Sequence, residues 1–440
     1  MADPIELEII ALGARGDGIA TLEGTRIIVP GALPGERVRA RPERPRGSGR
    51  PRGPGRGKPE GPPRARLVDI VVASPDRIAP ACRHFGACGG CAVQHLAAES
   101  ALRWKHALIA DALDRRGLPR QTVRPVAAVA PGARRRADFT VIRRRDDLLL
   151  GFNAPGSRQV IDLLECPVLR PEIVALIEPL RHFLHELLAA PARAEAVVNA
   201  TASGLDLVLV SDAKLGAAGR EHLAQFAEAQ DLARISRRHP KTGTPEIVAE
   251  RRAPTGTFGG FPVALPPGAF LQASDEGEAS LVAAVISAVG EADAIADLHS
   301  GCGTFTFPLA MHGTSNPKLH AVDGNEAAVA AIRGAANATA LTAITTERRD
   351  LERRPLRFDE LARFGAVVFD PPRAGARAQS QALAQSRVPV IAAVSCNPAS
   401  FARDAEILVT GGYRLDWVQP VDQFPWTPHI ELVARFHREG

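Results

Sequence analysis

Long apolar runs are missing from this 440-residue chain: no stretch approaches the roughly 18 consecutive apolar residues that a membrane-spanning helix needs, so the chain is expected to stay out of the membrane. The opening residues Met1 to Glu6 supply neither the basic nor the apolar region of an export leader, and a cytoplasmic location is expected. Cysteine is scarce. Six in 440 residues are too few for a disulfide scaffold, and their clustering points to metal binding or catalysis in a reducing compartment. The CxxxCxxC spacing is absent, which removes the radical enzymes that hold a cluster through it, and no internal repeat of fixed period is present. What remains is an ordinary globular composition, 45% hydrophobic and 23% charged, in a chain long enough for two or three domains.

The net charge of +5 is small but unevenly spread. Residues 41–66 carry nine Arg or Lys against Glu43 and Glu60, a local net of +7 that leaves the rest of the chain slightly negative. These 26 residues also hold seven Pro and six Gly and almost no apolar side chains, so they bury too little surface to offset the entropy of ordering. A disordered basic loop is expected here, one that attracts phosphates without sequence preference or simply solubilises the chain.

On either side of that loop, Ile5 to Ile10, Arg26 to Pro30, Arg37 to Arg41 and Leu67 to Val72 are short β-branched runs separated by Gly-rich turns. They predict a small β-barrel over 1–73, with the loop inserted between its last two strands. Residues 74–255 mix a cysteine-rich loop, a helix near Glu99 to Arg116 and a hairpin across Phe139 to Phe152, an α+β region. From 256 to 440, apolar runs alternate with Ala-rich helical stretches: Ala294 to Leu298, Leu319 to Asp323, Ala366 to Asp370 and Val388 to Ser395. That alternation predicts an α/β, Rossmann-like parallel sheet.

Chemistry-bearing residues gather where such strands end. Asp297 to Phe305 reads DLHSGCGTF, a glycine-rich turn that lets a cofactor approach the backbone or lets strand and helix pack. Asp323 lies 20 residues past Gly303 and ends the next apolar strand, the position from which a carboxylate accepts ribose hydroxyls. Asp350 follows the third strand and suits a helix cap or an adenine contact equally. Asp370-Pro371-Pro372-Arg373 ends one strand and Ser395-Cys396-Asn397-Pro398 the next, so a cysteine and a carboxylate emerge at the same sheet edge. Cys396 is either a small hydrophobe or a thiolate able to attack an electrophilic carbon. Glu431 opens the last strand, as a general base or as an edge-strand surface residue. Upstream, Cys82, Cys88 and Cys91 form a close triplet with Cys166 at a distance, a set that suits an iron-sulfur cluster or a structural zinc.

Taken together these motifs resemble the class I, S-adenosylmethionine-dependent RNA 5-methyluridine methyltransferases, and the likeness covers essentially the whole chain. It rests on Cys82 to His95 and Cys166 to Leu169 for the cluster motif and on Phe270-Leu271-Gln272 before the catalytic core. Asp370 to Gly375, Ser395 to Pro398 and Phe424 to Glu431 match the catalytic motifs. The resemblance implies a TRAM-type barrel at the N-terminus, a 4Fe-4S cluster on Cys82, Cys88, Cys91 and Cys166, and a uridine of 23S rRNA as target. It casts Cys396 as the nucleophile toward C6 and Glu431 as the base that removes the C5 proton. Cofactor contacts implied by motif position are Gln272, His299, Thr304, Asp323, Asp350 and Asp370, with Asp370 also near the uracil. His299 stands where the family commonly has an aromatic residue, Thr304 where it has Asn, and Asp323 where it has Glu. Arg134, Arg135 and Arg136 fall in a basic segment that binds RNA phosphate or forms a solvated face. The chain is expected to act on RNA as a monomer.

Three competing readings remain at the level of sequence: a transfer-RNA 5-methyluridine enzyme, an RNA 5-methylcytosine enzyme with similar thiolate chemistry, and a non-catalytic RNA-binding factor. A TRAM-bearing radical methylthiotransferase is disfavoured by the missing CxxxCxxC. The Asp-Pro-Pro-Arg and Ser-Cys-Asn pattern favours uracil, and Cys396 together with Glu431 favours an active enzyme.

Overall fold

The computed structural model describes residues 3–43, 62–241, 243–312 and 317–438. The chain forms two compact units, Met1–Lys105 with Trp426–Pro428, and His106–Pro425 with His429–Gly440.

The first unit is built on an antiparallel sheet of β1 (Ile5–Leu12), β2 (Gly18–Leu22), β3 (Thr25–Val29), β4 (Arg37–Pro42) and β5 (Ala65–Val72), in the order β3-β2-β1-β4-β5. Alternation along β1 buries Leu7 and Ile9 beside Val29, Val38 and Ala40, as period-2 geometry requires. Ile28 N–H donates to Pro63 O, so the β3 edge meets the segment leading into β5. The centre of the expected basic loop, 44–61, lies outside the described residues. Its flanks run into β4 and β5, so the insertion falls between the last two strands as expected, although Arg41, Ala65 and Arg66 are strand rather than loop.

Helix α1 (Ala98–Asp114) matches the expected helix, and its later residues Ile109 and Leu113 pack into the largest apolar core of the second unit. After β6 (Ala127–Ala128), a seven-stranded sheet takes in β7 (Arg136–Arg143), β8 (Leu148–Asn153), β9 (Val160–Asp162), β10 (Ala192–Thr201), β11 (Gly204–Val210), β12 (Arg234–Arg238) and β13 (Pro245–Glu250). Helices α2 (Pro171–Leu187) and α3 (Ala217–Ala229) pack on it. The expected hairpin is β7 and β8; the rest of this sheet goes beyond the mixed region that periodicity suggested. A two-stranded hairpin, β14 (Thr255–Phe258) and β15 (Phe261–Ala264), and helix α4 (Asp275–Val289) then lead into the catalytic sheet.

That sheet alternates β16 (Ala294–Leu298), α5 (Thr306–Ala310), β17 (Lys318–Asp323), α6 (Glu326–Ala338), β18 (Ile344–Arg348), α7 (Phe358–Leu361), β19 (Ala366–Phe369), α8 (Arg377–Ala384), β20 (Val390–Ser395) and α9 (Pro398–Thr410), and closes with β21 (Arg414–Asp422) and β22 (Glu431–His437). Its order is β18-β17-β16-β19-β20-β22-β21-β6. The first five strands run parallel, and β22 lies antiparallel between β20 and β21. Helices cover both faces, so β19 is buried at all of Ala366–Phe369 without alternation. The chain winds outward from β16 through β17 to β18 and then crosses back to β19, which opens a crevice at the carboxyl ends of β16 and β19. Polar caps start the helices at that edge: Asn325 accepts from Ala327 and Ala328 N–H, and Asn397 accepts from Ala399 N–H ahead of Pro398 at the first helical position.

Candidate functional site

Strand ends converge on one edge of the catalytic sheet. His299 follows β16, Asp323 ends β17, Asp370 follows β19 and Cys396 follows β20. Glu431 reaches the same edge from the other direction, because β22 runs antiparallel with Leu432 opposite Ser395. Glu431 is buried, 6% exposed, on an interior strand; the edge-strand surface alternative is therefore excluded.

The glycine turn is shaped for close approach. Gly303 has φ of 97°, and a Cβ there would press on Phe307 Cε2 at 2.6 Å. A Cβ on Gly301 would meet nothing within 4 Å, so open space lies over the turn. Gly301 N–H donates to Asp323 Oδ2 at 2.9 Å and Asn325 N–H to Oδ1 at 2.7 Å, which fixes the carboxylate at the strand end. His299 holds φ of 61°, a strained value for a residue with Cβ, and burial lowers its imidazole while Asp323, Asp350 and Glu352 oppose that shift. Asp350 also accepts from Glu352 and Arg353 N–H, so it caps its own turn. Thr304 stands apart: it lines a cleft of about 480 Å³ with Phe258, Leu271 and Glu278, which the other cofactor candidates do not line.

Deeper in the edge, carboxyl groups crowd together. Asp297 is fully buried; Oδ2 accepts from Thr306 Oγ1 at 2.5 Å, while Oδ1 has no partner among the described residues. Burial pushes its carboxyl up to about 7, with Asp370 and Asp323 adding to the shift. Asp370 is raised by desolvation, and Glu431 by desolvation and then by Asp370. Cys396 is pushed up to about 11 by burial, then by Glu431 and Asp370, with Arg373 acting in the opposite sense. Cys396, Asp370 and Glu431 thus form one electrostatic group, and the resting sulfur carries its proton at neutral pH.

Cross-ties hold the loops that present these groups. Asn397 Nδ2 and Ser400 Oγ both donate to Arg373 O at 3.1 Å, Arg403 donates to Ala374 O, and Ala376 N–H donates to Asp404. A Cβ on Gly375 would collide with Asp404 Oδ2, so only glycine lets the loop lie that close to α9. Gln272 Nε2 reaches Asp370 Oδ2 at 3.5 Å. Its own segment is clamped from the start of β7 and the residue before it: Arg135 donates to Gln272 O at 2.8 Å and to Asp275 at 2.5 Å and pairs with Glu278, and Arg136 donates to Ala269 O at 3.1 Å. Arg135 is 8% exposed, so the surface role considered for it gives way to a structural one. Arg134 lies over the Phe424 ring at 5.6 Å.

Residues 266–438 match the family model of tRNA (uracil-5-)-methyltransferases. Over 97% of its length the chain is 33% identical to the 23S rRNA (uracil(1939)-C(5))-methyltransferase RlmD of Halomonas elongata, 88% of which is covered. The chain belongs to the RNA (uracil-5-)-methyltransferase family. An uncharacterized RNA methyltransferase of Mesorhizobium japonicum is 43% identical over 96% of this methyltransferase and 95% of its own length. Among solved structures, the tRNA (uracil-54, C5)-methyltransferase of Pyrococcus abyssi in complex with S-adenosyl-L-homocysteine matches with a TM-score of 0.73 at 24% identity, covering 98% of this chain and 100% of that one, a likeness of fold.

The cysteine set of this methyltransferase does not assemble as the spacing implied. Among the described residues no cysteine is in a disulfide. Gly90 N–H donates to Cys88 Sγ at 3.4 Å, and the Cys88 thiol is raised by burial and by Cys82 nearby. Yet among the described residues no group of three or more His, Cys, Asp or Glu side chains could hold a metal ion. The pattern was legible in sequence; the convergence it implied is not seen.

Three polar residues of the edge escape motif reading: Asp297, Asp404 and Gln423. Asp297 sits within a quoted motif stretch, Gln423 immediately before another, and Asp404 is an acid on a largely apolar helix face, but only burial separates them from surface polar residues. The thiol's environment has a chemical signature. Alkylation of Cys396, followed on its own peptide by mass spectrometry, is expected to accelerate with pH up to about 11, and Glu431→Gln should speed it at pH 8 by lowering the thiol toward its ordinary value. A plateau near the ordinary thiol range of about 8.5, unchanged by Glu431→Gln, would contradict this electrostatic assignment.

Proposed function

We propose that this methyltransferase transfers the methyl group of S-adenosylmethionine to C5 of a uracil in RNA, with a specific uridine of 23S rRNA as its target. The observation that carries the reading is the meeting of Cys396, Asp370 and Glu431 at one buried edge. Uracil C5 is a poor nucleophile until something adds to C6. In the proposed cycle the Cys396 thiol gives its proton to solvent water as its sulfur bonds to C6, and the C5–C6 π electrons move toward the C4 carbonyl. C5 then takes the methyl carbon, whose bond to the sulfonium sulfur breaks with its electron pair staying on that sulfur. Glu431 takes the C5 proton, the C5–C6 double bond re-forms, and the S–C6 bond breaks. Gln272 and Asp370 orient the base, and the uridine leaves its RNA stack to reach them.

The residues present fit the proposed cofactor. Open space over Gly301 admits a ligand to the turn, and Asp323 at the strand end suits ribose hydroxyls. His299 and Asp350 flank Asp323, and Gln272 and Asp370 complete the set, with Thr304 assigned by motif position. Acids outnumber bases at this edge, which suits a positively charged ligand; the bound cofactor supplies an electrophilic sulfonium methyl.

Around this core we assign a TRAM-type barrel to 1–73, supported by the five-stranded sheet whose β3 edge meets the approach to β5. A central region over 74–255 and a catalytic domain over 256–440 follow the separate sheets, and a monomer working in the cytoplasm is the expected form. The four cysteines keep the spacing of a cluster motif, and a donor set of thiolates alone suits iron and sulfide.

Mapping 5-methyluridine by mass spectrometry in 23S rRNA from cells with and without the protein tests the function. One uridine should lose its methyl group, and Cys396→Ala should fail to restore it while binding the cofactor normally. An unchanged 23S map with a changed transfer-RNA map would overturn the target, and restoration by Cys396→Ala would overturn the chemistry. Anaerobically prepared protein is expected to contain about four iron and four sulfide per chain. Their absence from a protein that methylates RNA removes the cluster.

A further inference from the structure

Arg373 follows Asp370-Pro371-Pro372 past the end of β19, and its backbone and its side chain have opposite surroundings. The backbone is held: Asn397 Nδ2 and Ser400 Oγ each donate to Arg373 O at 3.1 Å. Asn397 directly follows Cys396, so these bonds fix the Arg373 backbone beside the end of β20. The next three residues are fixed as well: Arg403 donates to Ala374 O at 2.9 Å, Gly375 adopts φ of 80°, and Ala376 N–H donates to Asp404 at 2.8 Å. Arg373 itself is exposed, and its guanidinium has no hydrogen-bond or ion-pair partner among the described residues.

Arginines of the neighbouring segments are already engaged. Arg403 pairs with Asp404, Arg135 with Asp275 and Glu278, and Arg136 with Asp138 and the Ala269 carbonyl, while Arg134 Nε donates to Arg136 O. The basic segment that the sequence offers for phosphate therefore has its charge largely committed within the protein. Placement separates Arg373 from an ordinary solvated arginine. Its charge reaches Cys396, where it opposes the effect of Glu431 and Asp370, so it stands at the lip of the reactive edge. The carboxyl groups gathered there, Asp297, Asp323, Asp370 and Glu431, disfavour an incoming polyanion, and an uncompensated cation on a rigid loop offsets them.

We propose that Arg373 is the phosphate anchor for the RNA substrate, its guanidinium pairing with a backbone phosphate next to the target nucleotide so that the strand is held at the lip while the base enters the edge. The inference rests on the reading of the chain as an RNA uracil-C5 methyltransferase. Such a contact positions the strand without reading its sequence, and the planar guanidinium takes two phosphate oxygens at once where an ammonium offers a point charge.

The test uses the full-length protein and 23S rRNA from cells lacking it. Methyl incorporation is followed at increasing salt, filter binding of the same RNA is run alongside, and S-adenosylhomocysteine affinity is measured by calorimetry. Arg373→Gln should lower kcat/KM for RNA about tenfold at low salt, the scale of one hydrogen bond to a charge, with cofactor affinity unchanged. The loss should shrink as salt rises, because the slope of log(kcat/KM) against log salt becomes shallower by about 0.7 to 0.9, one phosphate's worth of released counterions. Arg373→Lys should restore the slope and recover only part of kcat/KM, since it keeps the charge without the fork. A loss of equal size at every salt concentration, or a loss of cofactor affinity, would overturn the anchor and place the guanidinium's effect on Cys396 or on the cofactor. No methyl incorporation by the unsubstituted protein would instead overturn the uracil-C5 reading, while the salt slope of filter binding still decides the anchor.

Discussion

Crowding of acidic groups in a water-poor sheet edge is the constraint around which the rest of the catalytic unit is arranged. Asp370 raises Asp297 and Glu431, and Glu431 with Asp370 raises Cys396. Oriented dipoles offset the burial: the Thr306 hydroxyl on Asp297 and the Gln272 amide near Asp370. Dipoles bonded to a carboxylate favour its charged form without cancelling its charge. Burial nevertheless holds the carboxyl groups of Asp297, Asp370 and Glu431 above their ordinary values, so the edge gains negative charge as pH rises toward about 8.

Such an arrangement works only if its members cannot drift apart. The Asp370 loop is tied to α9 by Asn397, Ser400, Arg403 and Asp404, and Cys396 sits immediately before the Asn397 cap of that helix. The Gln272 segment is clamped by Arg136 at the start of β7, by Arg135 just before it and by Gln423 from the end of β21. The groups proposed as nucleophile, base and orienting amide thus come from different elements, and hydrogen bonds tie the segments that carry Cys396 and Gln272. Misplacement of a reacting group by about 1 Å can cost on the order of 100-fold in rate, which gives these ties their functional meaning.

The catalytic sheet was legible in sequence where its strands are buried apolar runs: Ala294 to Leu298 is β16 residue for residue, and Ala366 to Phe369 is β19. Position at the strand ends made Asp323, Asp370 and Cys396 stand out. The seven-stranded sheet was less legible. Its β10, ARAEAVVNAT, mixes Ala with charge and carries no clear period, and pairing with the distant β7 and the adjacent β11 makes it a strand. Arg135 read as a surface cation because charge alone does not reveal that Asp275 and Glu278 wait 140 and 143 residues away. Gln423 carried no signal beyond its neighbours, since an amide reveals its role only through what it touches. The cysteine pattern is the opposite case: clear in spacing, and not matched by convergence of the described side chains.

The most direct test of the central claim, that Cys396 and Glu431 act on one uracil from one edge, is covalent trapping. Glu431→Gln protein, incubated with its RNA and S-adenosylmethionine and resolved on a denaturing gel, should carry a lasting protein–RNA adduct, because the C5 proton stays and the S–C6 bond cannot be eliminated. The adduct should vanish when Cys396→Ala is added. An adduct that survives loss of Cys396, or normal turnover by Glu431→Gln with no adduct, would contradict the account.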